Sequence, residues 1–206
     1  MRTKILVTAF EPFAGRALNP ALEVLNKLGP GAFRNCTLSK AKLPVSGRVV
    51  GGQLAALIAR TRPDCLVALG LASGETSVRV ERFALNIQDY AIKDNSGYQP
   101  AGKKIKEEGP AAYLVSSDPA KTAAAVRRAG IPAYVSNHAG AYVCNHLMYE
   151  AMHAITAGNR KTKFAFVHLP LATEMAVKEK PGKSVPPSLP LALLVKAAEA
   201  AIKALL

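Results

Sequence analysis

Ser136-Asn137-His138-Ala139-Gly140-Ala141-Tyr142-Val143-Cys144-Asn145-His146-Leu147-Met148-Tyr149 runs from a strand-like segment through a turn of small residues into a helix. The cysteine falls in the first turn of that helix, where unpaired amide N–H groups and the positive end of the dipole favour a thiolate over a thiol. A thiolate is a strong nucleophile at neutral pH. Strand, tight turn and helix in succession also form the unit from which open α/β sheets are built, and their reactive groups gather at the carboxyl ends of strands.

Outward from this segment the same alternation recurs. Lys4–Phe10, Cys65–Leu69, Ala133–Ser136 and Lys163–Leu169 are short apolar runs that read as buried strands. Amphipathic helices lie between them. Asn19-Pro20 opens one, Ser46 caps one that carries Val50, Leu54, Leu57 and Ile58, and Asp118-Pro119 opens another that stops at Gly130. A last helix, beginning near Ser188, presents Leu191, Leu194, Val195, Ala198, Ile202 and Leu205 as a core-facing stripe. The pattern predicts an α/β sandwich with a largely parallel or mixed sheet and helices on both faces. At 206 residues, with no repeat and no linker, a single domain over residues 1–206 is expected. Two stretches break the alternation. Glu174–Pro190, rich in Lys and Pro, reads as a surface excursion, and Arg79–Gln99 reads as a long polar loop or hairpin of the kind that carries function.

Composition narrows the function classes. Half of the residues are hydrophobic and no apolar run is long enough to span a membrane. The N-terminus enters a strand directly rather than a signal segment. Cys36, Cys65 and Cys144 match neither a disulfide framework nor a zinc site, so free thiols in a reducing cytoplasm are expected. The net charge of +13 raises the question of an anionic partner, but the basic residues are dispersed, aromatics are few and Trp is absent. Nucleic-acid binding is not the expectation.

A catalytic cysteine needs a base. Of the four histidines, only His168 stands at the carboxyl end of a predicted strand, which Pro170 terminates. His146 is turned away from Cys144 on the helix, His153 lies deep in it, and His138 is in the approach turn. His168 is the best general base, and Glu81, Asp89 and Asp94 are candidates to orient it. On their own these residues also fit plainer roles. Cys144 shares a helical face with Leu147, Met148, Ala151 and Ile155 and, taken alone, reads more readily as a small core hydrophobe than as a nucleophile. Phe10 and Phe13, straddling Glu11-Pro12 at the end of the first strand, read either as core anchors or as walls for a planar ring.

The sequence resembles the pyroglutamyl peptidase I (pyrrolidone-carboxylate peptidase) family of cysteine peptidases. Ordered blocks along nearly the whole chain carry the resemblance: Ile5 to Phe13 with Asn19-Pro20, Glu81 to Asn86, Asp94-Asn95 with Gly97 and Gln99-Pro100, Ser136-Asn137 through His146 with Tyr149, and Phe166 to Pro170. It implies a catalytic triad of Cys144, His168 and Glu81, with Phe10 and Phe13 flanking a lactam ring. Asn19, Leu71, Tyr142 and Val143 join the substrate-binding set. It implies hydrolysis of an N-terminal pyroglutamyl residue from peptides through a thioester, without metal or organic cofactor, in one α/β/α domain assembled as a dimer or tetramer. Backbone N–H groups at the start of the Cys144 helix are the natural oxyanion donors. The chain departs from the family pattern at Ala9, Ala14-Gly15, Ala72-Ser73-Gly74-Glu75 and Leu71. Ala91 stands where an arginine near the active site is expected, which points to weaker activity or to a cation supplied by another residue. A related thiol amidase on another small lactam, or a weakly active pyroglutamyl-binding protein, is the alternative reading.

Overall fold

The computed structural model describes residues 2–178 and 185–206. Its sheet is assembled from strands β1 (Thr3–Phe10), β2 (Cys36–Leu43), β3 (Cys65–Leu71), β4 (Val78–Leu85), β5 (Ala112–Leu114), β6 (Ala133–His138) and β7 (Lys163–Leu169). The order is β2-β1-β3-β7-β4-β5, with β6 also paired to β4. Pairing is parallel from β2 through β7 and between β4 and β6, whereas β4 runs antiparallel to β7 and β5. The sheet is therefore mixed and mostly parallel, as expected.

Period-two alternation sends each strand's side chains to two separate cores. Ile5, Val7 and Ala9 of β1, Val67 and Leu69 of β3, and Ala165, Val167 and Leu169 of β7 face helices α1 (Pro20–Lys27), α3 (Pro119–Arg128) and α6 (Leu191–Leu205). Leu6 and Phe10, Leu66 and Ala68, and Phe164 and Phe166 face α2 (Val50–Thr61) and α4 (Val143–Ala157). Helices on both faces give the three-layer sandwich. The alternation also decides where chemistry can sit. His168 shares its face with Phe164 and Phe166, so it points to the side covered by α4, the helix that carries Cys144.

Local signals account for most boundaries. Asn19 caps α1 by accepting from Ala21 N, and Asp118 caps α3 by accepting from Ala120 N and Lys121 N. Gly130, with φ of +81°, follows α3 in the left-handed conformation that glycine tolerates. Other expectations are corrected. Ser46 does not cap α2 with its side chain: its hydroxyl bonds Ser96, and only its carbonyl accepts from Val49 and Val50. The last helix begins at Leu191, because Ser188–Leu189 (β9) pairs with Leu171–Ala172 (β8), just before the short helix α5 (Thr173–Ala176). Within the expected excursion from Glu174 to Pro190, residues 179–184 lie outside the described residues. The stretch Arg79–Gln99 is not all loop, since its first seven residues belong to β4. The irregular excursion follows β4 and includes an isolated bridge between Gln88 and Lys103.

Candidate active site

β4 and β7 meet in antiparallel register with Arg79 opposite His168. Glu81 lies two residues along the same face of β4 and reaches His168 from there. Its Oε1 is 2.7 Å from His168 Nδ1, in a place where Glu81 is fully buried and His168 is 5 % exposed. A carboxylate can only accept, so Nδ1 carries the proton and Nε2 is left as the basic nitrogen. Burial alone would raise the Glu81 pKa, but the hydrogen bond from His168, with help from Arg79, holds it below the usual carboxylate range. Of the three carboxylates open to this role, Glu81 occupies it. Asp89 is exposed. Asp94 instead accepts from Ser96 N, Ser96 Oγ and Tyr98 N on one oxygen and from Gly47 N on the other.

Cys144 is the second residue of α4, after the N-cap Tyr142. Burial pushes its thiol up to about 12, the charge of Glu81 adds to this, and the Arg79 cation opposes it. The net push on this half-buried thiol is upward, so the helix start does not by itself yield a thiolate. No hydrogen bond joins the thiol to the imidazole among the described residues. The remaining histidines are engaged elsewhere: His146 with Tyr90 and Glu150, His153 with Tyr113, and His138 with Gly140 N.

Beside Cys144 lies a small pocket lined by Phe10, Phe13, Asn19, Val45, Leu71, Tyr142 and Val143. All six residues expected to bind substrate thus gather around the thiol, and Val45 joins them. The sequence held a weak signal for Val45, an apolar residue directly ahead of Ser46 in a short loop. Asn19 lines the pocket without a free amide, since its Nδ2 donates to the carbonyls of Phe10 and Glu11 while its oxygen caps α1. The turn between the two phenylalanines is pinned from outside. Glu11 Oε1 accepts from Val45 N and from Asn95 Nδ2, which also donates to the Pro12 carbonyl. Tyr142 stacks obliquely on Phe13 and Tyr90, with ring centroids 6.2 and 4.7 Å away, so one aromatic wall is continuous.

Ala91 is exposed and offers only its carbonyl, which accepts from Gln99. The cation at the site is Arg79, missed from sequence. Its Nη2 lies 3.1 Å from Glu81 Oε1 and also donates to Ser136 Oγ and the His138 carbonyl, while Nη1 meets Glu75 at 3.3 Å. Among the described residues, no group of three or more His, Cys, Asp or Glu side chains is arranged to hold a metal ion. No helix among them is long and apolar enough to cross a membrane.

The geometry has counterparts. The family described as pyroglutamyl peptidase matches this chain over residues 3–206. A pyrrolidone-carboxylate peptidase of Thermococcus onnurineus is 41 % identical over 200 residues, covering 97 % of each chain. Among solved structures, the pyrrolidone carboxyl peptidase from Thermococcus litoralis superposes with a TM-score of 0.92 at 33 % identity, covering 98 % of this chain and 92 % of that one. Pyroglutamyl peptidase I of Bacillus amyloliquefaciens superposes with a TM-score of 0.90 at 31 % identity, covering 98 % and 95 %.

Proposed function

Since the chain belongs to the pyroglutamyl peptidase family, we propose that it removes the N-terminal pyroglutamyl residue from peptides, with Cys144 as nucleophile, His168 as general base and acid, and Glu81 as the group that orients His168. The observation that carries this reading is the convergence of two assemblies on one thiol. A buried Glu81–His168 pair lies on the sheet face toward α4, and a small apolar pocket lies directly beside Cys144.

In this mechanism the lactam ring sits among Phe10, Phe13, Leu71, Tyr142 and Val143. The thiol is held protonated by its surroundings, so its proton passes to His168 Nε2 as sulfur attacks the carbonyl. Glu81 keeps Nδ1–H in place and stabilises the imidazolium that forms. The N–H groups of the first turn of α4, which no preceding carbonyl of the helix can reach, face the developing oxyanion. His168 then protonates the leaving amine, and water, deprotonated by the same residue, hydrolyses the thioester.

The reading extends to a cytoplasmic homo-oligomer. Three free thiols suit a reducing compartment, and a dimer or tetramer is the expected outcome of light scattering on the purified chain. The decisive experiment is hydrolysis of a pyroglutamyl amide of a fluorophore. The wild type turns over and Cys144→Ser does not; a wild type without activity, or a serine variant that matches it, would refute the reading.

A further inference from the structure

The fully buried Glu81 carboxylate is crowded on one side and bare on the other. Oε1 is shared by His168 Nδ1 at 2.7 Å and Arg79 Nη2 at 3.1 Å, while Oε2 has no hydrogen-bond partner among the described residues. A buried carboxylate in that state is strongly disfavoured unless a cation stands against it. Arg79 is that cation, and its reach goes further. The same Nη2 donates to Ser136 Oγ and to the carbonyl of His138, at the carboxyl end of β6, where the chain turns toward Cys144. Its Nη1 is pinned by Glu75, whose other oxygen accepts from Tyr134 of β6. One guanidinium therefore joins the strand that carries Glu81 to the strand that delivers the thiol. A planar fork can hold such divergent acceptors together, and an ammonium cannot.

We infer that Arg79 is a positioning residue of this site: it holds the Glu81 carboxylate aimed at His168, and it ties the approach to Cys144 to that same carboxylate. This rests on the triad reading above. The charged and titratable groups that face it are Glu75 and Glu81 from its own region, His168 from β7, Tyr134 from β6, and Cys144 from α4; His138 meets it through its carbonyl alone. Of these, Glu81 raises the Cys144 thiol and Arg79 opposes it. The chain thus carries a cation at the triad although Ala91 supplies none.

The test separates charge from mere support. Alkylation of Cys144 by neutral iodoacetamide at pH 8 is followed by mass spectrometry, which resolves it from Cys36 and Cys65 and needs no substrate. Loss of a nearby cation leaves less thiolate, so Arg79→Gln is alkylated at least about tenfold more slowly. Its kcat falls with KM little changed. Arg79→Lys restores alkylation to within about threefold of wild type because the charge returns, but recovers less kcat because the fork does not. A purely structural role predicts the reverse, since loosening the site exposes the thiol and speeds alkylation. Should Arg79→Gln fail to fold, Glu75→Gln decides. Removing that anion strengthens the cation's field at the thiol, so alkylation accelerates with Tm unchanged. Equal or faster alkylation of Arg79→Gln, or no acceleration in Glu75→Gln, overturns the inference. Neither result touches the triad reading, which stands or falls on turnover by wild type and Cys144→Ser.

Discussion

Gly70 lies beside His168 in the parallel pairing of β3 with β7, and it has no side chain for a reason of space. A Cβ there would stand 2.8 Å from His168 Cδ2 and 2.8 Å from two ring carbons of Phe166. The imidazole, not the backbone, would have to give way. Under the proposed mechanism, Gly70→Ala is therefore expected to lower kcat by about a hundredfold, the cost of a general base displaced by about an ångström. The loss of stability stays within about 1–3 kcal/mol, as for other overpacked sites. Steady-state kinetics beside a thermal melt separate the two effects. At this scale the sequence was partly legible. Cys144 and His168 could be singled out as candidates because a helix start and a strand end are local features. Glu81 could be preferred over Asp89 and Asp94 only slightly from its flanking Val80 and Phe83, because that choice depends on the antiparallel register of β4 with β7, which no local pattern encodes. Arg79 was hidden for the same reason: a basic residue among polar neighbours reads as surface until its partner strands are placed.

The first turn of the helix that carries Cys144 is tied to the sheet by one amide, that of Asn145. Asn145, buried next to Cys144, accepts from Leu85 N and donates to the carbonyls of Leu85 and Ile87. It therefore joins the first turn of α4 to the place where β4 ends and the irregular excursion begins. Asn145→Ala leaves these backbone groups without partners in a buried region, a loss of about 2–4 kcal/mol. For a chain of this size that lowers Tm by roughly 5–15 °C, readable by calorimetry. The alternating strands and amphipathic helices that form the two cores were visible in sequence, since their apolar periods are strong. Strands β2 and β4 were not. β2 pairs on one side only and shows a mixed pattern of burial, so Thr, Ser and Lys dilute its signal. β4 carries Arg79 and Glu81 because one of its faces meets His168, and Arg82 on the other face bonds Asn137; those charges made a central strand read as a loop.

For the molecule as a whole, buried Glu81 and Asp94 and half-buried Glu150 shape the response to acid. Glu81, Asp94 and Glu150 all sit where burial would raise them. All three are nonetheless held below the usual carboxylate range, Glu81 by His168 and Arg79, Asp94 by Ser96 and the amides of Gly47, Tyr98 and Ser96, and Glu150 by His146 and Lys106. A group depressed in the folded state stabilises it fully above the unfolded-state value and loses that contribution as pH falls through the folded-state value. Melting temperature is thus expected to hold from neutrality down to about pH 5 and to fall steeply below about pH 4. The chain already carries a net charge of +13 at neutral pH, and protonating carboxylates only adds to the self-repulsion. Asp94→Asn melts lower than wild type at pH 7, and the gap closes toward about pH 3, where the aspartate is itself neutral.

The pocket beside Cys144 encloses a cavity of about 10 Å³, space for a single water and not for a five-membered ring. Entry of a lactam would therefore require the lining side chains to part, and half-buried Phe13, set against Tyr142, is one of them. Substrate affinity then depends on how often the aromatic door stands ajar. At an open fraction of about one in a hundred, the apparent Kd is about a hundredfold weaker than the intrinsic one.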